Sequence, residues 1–214
     1  MRKDSDSSQT ADSLAVRWPA VLLALVLAVL VWSGISPFDF LTWFLEVSPA
    51  IVGIVVLAAK WRTFPLTPLV TTLIALHMMI LAVGGHYTYA LVPAGDWVRD
   101  AFGLSRNHYD RLGHLAQGFV PAMIARELFL RLNVLARRGW MNFLLVCICL
   151  AISAVYELIE WWTALIIGEK SDSFLGTQGD VWDTQTDMFL AGVGAICAVA
   201  FFARWHDRQL VRLN

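Results

Sequence analysis

Residues 140–165 read Trp-Met-Asn-Phe-Leu-Leu-Val-Cys-Ile-Cys-Leu-Ala-Ile-Ser-Ala-Val-Tyr-Glu-Leu-Ile-Glu-Trp-Trp-Thr-Ala-Leu. No charged side chain interrupts the stretch between Arg138 and Glu157, and tryptophans stand near both ends. A helix needs about 20 such residues to cross the hydrocarbon core of a bilayer. Tryptophan suits the two interfaces, where its ring is half apolar and its N–H stays wet. The stretch therefore predicts a transmembrane helix, and a membrane protein around it.

The rest of the chain agrees. Of 214 residues, 58% are hydrophobic and 15% charged, whereas a soluble domain carries about a quarter charged. Mean hydropathy is +0.62. Net charge is −1, which excludes the electrostatic footprint of a nucleic-acid binder. The three cysteines, Cys147, Cys149 and Cys197, lie inside apolar runs and read as small hydrophobes, not as a disulfide framework.

Working outward from 140–165, five more spans are expected. Trp18 to Trp32 reads as an uncleaved first span, because no convincing small-x-small cleavage site follows it. The second begins near Phe40 and carries Glu46 inside it; the third runs from about Pro65 to Val83. Residues 84–108 form a long, weakly amphipathic polar connection suited to the interface. The fourth span runs from Asp110 to Arg131, and the sixth from Asp183 to Ala203. The expected fold is an all-α, polytopic integral membrane protein of six transmembrane helices. Its boundaries are a disordered tail at 1–17, one bundle at 18–204 and a tail at 205–214, where His206 is expected to be solvated.

Orientation follows from the basic residues. Lys60, Arg62, Arg131, Arg137, Arg138, Arg204, Arg208 and Arg212 fall on one side of a six-span arrangement. The positive-inside rule places that side, and both termini, in the cytoplasm. Asp39, Asp96, Asp100, Glu169, Asp172 and Asp180 fall on the other.

The chemistry gathers at that acidic end. Asp110 and His114 are four residues apart and share a helix face, with Gln117 on the same side. Glu157 and Glu160 are three apart, near Ser153 and Tyr156, and Asp180, Asp183 and Asp187 form an acidic stripe with Thr184. A carboxylate in lipid costs a few kcal/mol, so each must face the bundle interior, water, a partner or a metal. Crowded carboxylates also cannot all stay ionised unless a cation neutralises them. Carboxylate with imidazole suits a Zn- or Mn-like divalent metal, with Asp110, His114, Glu157, Asp183 and Asp187 as ligands. Glu160 and His108 are then the candidate catalytic acid–base groups.

A second reading stands beside it. Asp110 and Asp183 are also suited to cap helices, Arg111 to pair with a glutamate, and the remaining acids to share protons in a network. His77, in mid-span, reads as an interhelical hydrogen bonder, and His86 as lining either the site or the interface. Ala191, Gly192, Gly194, Ala195 and Ala198 are small residues that permit close helix packing.

Four segments carry a family likeness: Gly85-His86-Tyr87-Thr88-Tyr89, Asn107-His108-Tyr109-Asp110-Arg111-Leu112-Gly113-His114, Tyr156-Glu157-Leu158-Ile159-Glu160-Trp161, and Gly176-Thr177-Gln178-Gly179-Asp180 through Trp182-Asp183-Thr184-Gln185. They closely resemble the YjdF family of bacterial inner-membrane proteins over roughly Asp39 to Phe202, which implies a polytopic helical fold in that membrane. A looser resemblance is to VanZ-like membrane proteins, associated with glycopeptide resistance and cell-envelope physiology. It rests on Asp110-x-x-x-His114, a glutamate on the next span, and Asp183-x-x-x-Asp187 followed by Gly192 and Gly194. Glu160 stands where those proteins often have Gln, and Asp180 has no match there.

Two functions follow as expectations. One is a metal-dependent hydrolase or transferase acting on a lipid-linked or amphipathic envelope substrate at the outer face. The other is a non-catalytic membrane protein, either a small transporter with protonatable carboxylates or a partner-binding scaffold. Membrane lipids are the expected surroundings of both.

Overall fold

The computed structural model describes residues 4–167 and 177–213, with side chains from 18 to 166 and from 177 to 213. Glu169, Asp172 and Gly176 lie outside the described residues. Seven helices follow in order among those described: α1 (Asp4–Ser33), α2 (Phe40–Lys60), α3 (Pro68–Tyr87), α4 (Pro93–Phe102), α5 (Tyr109–Arg131), α6 (Met141–Ile167) and α7 (Asp183–Leu210). A 3-10 turn, Arg138–Trp140, leads into α6.

Among the described residues, α2, α3, the stretch Arg138–Ile166 and α7 are long and apolar enough to cross a membrane. The apolar part of α1, Trp18–Ser33, is shorter. Val52, Val55 and Val56 on α2, Phe143 and Val155 on α6, and Phe189 and Phe201 on α7 are all exposed. So wide an apolar exterior suits lipid and would be a liability in water. The molecule is an all-helical membrane bundle.

α5 is the exception that organises it. Its charged residues lie inward, and it packs chiefly on α7 and further on α6 and α3. α3 in turn carries α1 and α2. The α5–α7 seam is backbone against backbone. A Cβ on Gly118 would fall 1.8 Å from the carbonyl oxygen of Ala191, and one on Gly194 would fall 2.1 Å from that of Leu115. Small residues let helices approach this closely, which is how membrane helices gain packing without a hydrophobic driving force. Ala191, Ala195 and Ala198 are fully buried along the same stripe, as the sequence pattern predicts.

Several boundaries differ from the sequence reading. Helical backbone reaches back to Asp4, into the segment expected to be a disordered tail. α3 begins at Pro68, because Thr67 sits before a proline in an extended conformation and caps the helix through its side chain. It also continues to Tyr87, taking in Gly84 and Gly85, which read as connection. Both glycines serve packing: a Cβ on Gly84 would fall 2.4 Å from the Tyr89 ring, and Gly85 faces Glu46 and Val47 on α2. α4 is more sharply amphipathic than the sequence suggests. Trp97, Val98 and Phe102 point outward on one face, while Asp96 and Arg99 pair on the other.

The largest correction concerns the end of α7. The helix continues to Leu210, and His206, expected to be solvated, is fully buried. Its Nε2 donates to Glu127 (3.0 Å), and its Nδ1 accepts from Arg126 (2.7 Å). Glu127, also fully buried, accepts further from the amide and hydroxyl of Thr67 (3.0 and 2.7 Å) and from Arg131 (2.9 Å). Arg126 bonds Asp207, and Gln209 accepts from the Leu69 amide. A buried carboxylate is tolerable only when its lone pairs are met in this way. The cluster ties the start of α3, the end of α5 and the end of α7 together.

Candidate metal centre

Opposite that cluster, the first turns of α5 and α7 and the later turns of α6 bring the remaining acids together. His114 is the centre. Its Nδ1 lies 3.2 Å from Gln117 Oε1, so an Nδ1–H donating to the amide oxygen turns the Nε2 lone pair the other way. There Nε2 meets Asp110 Oδ1 at 3.5 Å and Asp187 Oδ2 at 3.9 Å. One donor atom from each of Asp110, His114 and Asp187 lies within 4.8 Å of the others. Two ligands of a Zn-sized ion sit about 2.0–2.2 Å from it and therefore at most about 4.4 Å apart. The His114–Asp110 and His114–Asp187 pairs satisfy that limit, and the Asp110–Asp187 pair is no more than 4.8 Å apart. The hydrogen bond from the far ring nitrogen is the arrangement that fixes the tautomer of a ligating histidine.

Charge argues in the same direction. Oxygens of Glu157 (Oε1) and Asp187 (Oδ1) are buried without a hydrogen-bond partner among the described residues. The nearby guanidinium groups point elsewhere: Arg111 bonds Asp180 at 2.6 Å, and Arg106 bonds Asp183 and reaches Asp180 at 3.4 Å. Arg111 thus pairs with an aspartate, not with a glutamate. Three carboxylates around one imidazole leave negative charge for which a cation is the natural complement.

Asp183 is held by Arg106 and lies outside the group of three. Glu157 Oε1 is 3.9 Å from His114 Nδ1, on the side of the ring away from Asp110 and Asp187. Neither Asp110 nor Asp183 caps its helix; His108 and Trp182 hold those positions, without side-chain capping bonds. Glu160 lines a polar cavity of about 20 Å³ with Glu46, Tyr89, Asp110, His114, Gln117 and Tyr156. That volume holds about one water molecule. The Tyr156 hydroxyl donates to Glu46 (2.9 Å), so the glutamate of α2 joins the site from across the bundle.

His108 stands at the entrance to α5. Burial, with the charges of Arg111 and Arg106 behind it, holds its imidazole below the ordinary histidine range. His86 lies apart, bonded to the Ser33 carbonyl (3.0 Å) and stacked near Trp32. His77, expected to bond between helices, has a buried Nε2 with no partner among the described residues.

Residues 18–208 match the family described as "Predicted membrane protein (DUF2238)". The chain belongs to this family. Over 207 residues it is 53% identical to the inner membrane protein YjdF of Escherichia coli strain K12, covering 97% of this chain and 98% of that relative. No solved structure matches the chain. The DUF2238 match takes in both the His114 group and the Glu127–His206 cluster, as well as residues whose roles the sequence did not reveal. Asn107 is the main one. Fully buried, it donates to the Val92 carbonyl (2.9 Å) and to Asp96 (3.1 Å), and its side-chain oxygen accepts from the Tyr109 amide (3.0 Å). Gln178 bonds its backbone on both sides (3.0 and 2.8 Å). Asn107 thereby fixes α4 and the approach to α7 around the first turn of α5. A clue was present in Arg106-Asn107-His108, three polar residues standing directly before a helix.

Proposed function

We propose that this DUF2238 protein is a divalent-metal-dependent hydrolase or transferase of the bacterial inner membrane, acting on a lipid-linked or amphipathic envelope substrate. In this reading six spans cross the membrane, both termini are cytoplasmic, and the His114 group faces outward. Asp110, His114 and Asp187 hold a Zn- or Mn-like ion. Gln117 orients His114, and Glu160 acts as base toward a water in the adjoining cavity, with Glu157 beside it. His108, at the start of α5, exchanges protons with an arriving substrate. Asp183 positions Arg106 and is not a ligand.

The observation that carries the reading is the orientation of His114. Its Nδ1 faces an amide oxygen while its Nε2 faces two carboxylates, one of which has a second oxygen buried without a partner. A metal in that position polarises an ester or phosphoryl oxygen and lowers the pKa of bound water. Transport is the less suitable alternative. Among the described residues, the buried core between the two polar clusters is largely apolar, built from Val120, Ala122, Met123, Cys149, Ala195 and Ala198, and makes a poor relay for a proton or ion.

Elemental analysis of the purified protein tests the proposal. Near-stoichiometric zinc or manganese is expected in the wild type and at most about a tenth of it in a folded Asp187→Asn variant, since losing one ligating carboxylate costs at least about tenfold in affinity. Equal metal contents, or none in a folded wild type, would replace the enzyme reading with a proton-sharing carboxylate network.

A further inference from the structure

An apolar groove of about 750 Å³ runs between α2 and α5 over α3. Ligand sites commonly have volumes in this range. One wall is Val52 and Val56 of α2; the other is Val120, Ile124 and Leu128 of α5 with Leu132 just beyond its end. The twelve steps from Val120 to Leu132 span about 18 Å at 1.5 Å per residue, a length suited to a hydrocarbon chain lying along the bundle. In a membrane such a groove is filled by a lipid tail, because nothing else in the hydrocarbon core is available to fill it.

Two features distinguish it from the ordinary lipid-facing surface. Leu81 lines both the groove and the polar cavity that holds Glu46, His114 and Glu160. The groove therefore ends where the candidate chemistry begins. One helical turn below Leu81, His77 lines the groove, its buried Nε2 without a hydrogen-bond partner among the described residues. An unmet ring nitrogen in an apolar setting is costly, and an occupant carrying a polar group at that depth would offset the cost. An acyl amphiphile has its carbonyl there when its head lies at the polar cavity and its tail runs toward Leu132.

We propose that the α2–α5 groove is the tail subsite for the substrate of the His114 centre, binding one acyl chain with its carbonyl end at His77 and Leu81 and its methyl end toward Leu128 and Leu132. The placement of the head rests on the metal-centre reading above; the groove and its polarity are separable from it. α2 packs mainly on α3 and reaches α6 through the Glu46–Tyr156 hydrogen bond. The chain therefore enters sideways from the bilayer between α2 and α5, past exposed Val52 and Val56.

The test uses the full-length protein in phosphatidylethanolamine–phosphatidylglycerol vesicles. These contain a small fraction of phosphatidylglycerol bearing a diazirine at either the carbonyl end or the methyl end of one chain. Adducts are located by mass spectrometry. The carbonyl-end probe is expected to label His77 and Leu81, and the methyl-end probe Leu128 and Leu132. Each should exceed labelling of the lipid-facing Phe143 and Phe201 by roughly tenfold, the ratio that about 1.4 kcal/mol of preference gives. Val56→Trp, at an exposed position on the groove wall, should reduce groove labelling to the level of Phe143 without changing metal content. Uniform labelling, or labelling unaffected by Val56→Trp, would overturn the proposal. So would the reverse polarity, with the methyl end at His77, which would mean a lipid anchored at Lys60. Correctly oriented labelling in protein that holds no metal would uphold the tail subsite while the metal reading failed.

Discussion

His108 shows how much one residue's neighbours decide. The sequence placed it beside the acidic group, yet its immediate company is cationic: Arg106 and Arg111 stand behind it, and its Nδ1 is buried without a partner among the described residues. Burial first, and those charges second, disfavour its protonated form in the folded protein. The unfolded chain, with an ordinary histidine pKa of about 6.5, takes up that proton at higher pH than the folded one. Stability from this residue is therefore present above about pH 6.5 and is lost as pH falls through that value toward the lower folded pKa. The melting temperature of the solubilised protein should decline between about pH 7.5 and about pH 5.5, and His108→Gln should flatten the decline. Parallel curves for the two proteins would assign the effect to another group. Residue spacing revealed Asp110 and His114, because positions four apart on a helix share a face. It had no means of revealing that Asp183 belongs to Arg106, since that partner lies 77 residues away in a connection of no regular period.

At the scale of elements, the α5–α7 seam carries the fold. The small residues of α7 were legible as a stripe because they recur at helical spacing. Their counterpart, Gly118, was not, because a single glycine between Gln117 and Phe119 has no period of its own. Placing a methyl there drives it into the Ala191 carbonyl, which is backbone and has no side chain to rotate aside. Gly118→Ala should push the two helices apart and disturb His114 one turn away. The cost should be about 2 kcal/mol, a fall in melting temperature of roughly 4–8 °C. Gly139→Ala is the matched control, since among the described residues nothing lies within 4 Å of its Cβ position. If differential scanning fluorimetry shows the two variants melting together, the seam is looser than its geometry implies. The ends of α3 were misread for a related reason. Gly84 and Gly85 resemble connection to any local rule, and only the ring of Tyr89 and the side chains of α2 make them interior.

Across the whole molecule, charge and packing bear on the same question of which helix ends share a face. The basic residues near Lys60, Arg131, Arg138 and Arg204 suggest one side by the positive-inside rule. Independently, Glu127 gathers Thr67 at the start of α3, Arg131 at the end of α5 and His206 near the end of α7. The sequence held the first argument in plain view. The second was hidden because His206 looked like part of a tail until burial and the Glu127 contact placed it inside. The two together make a sharp expectation for topology. Val181, 84% exposed, precedes α7, and Val211, 77% exposed, follows it. In right-side-out spheroplasts, Val181→Cys should react with a membrane-impermeant maleimide, and Val211→Cys only after the membrane is permeabilised. Cys149 is buried and Cys147 and Cys197 are partly so, which keeps the native background low. Reversed labelling would invert the molecule and turn the His114 group toward the cytoplasm, removing an envelope substrate from its reach. Labelling of both positions in intact spheroplasts would mean that α7 does not cross the bilayer, and the even count of spans would fail with it.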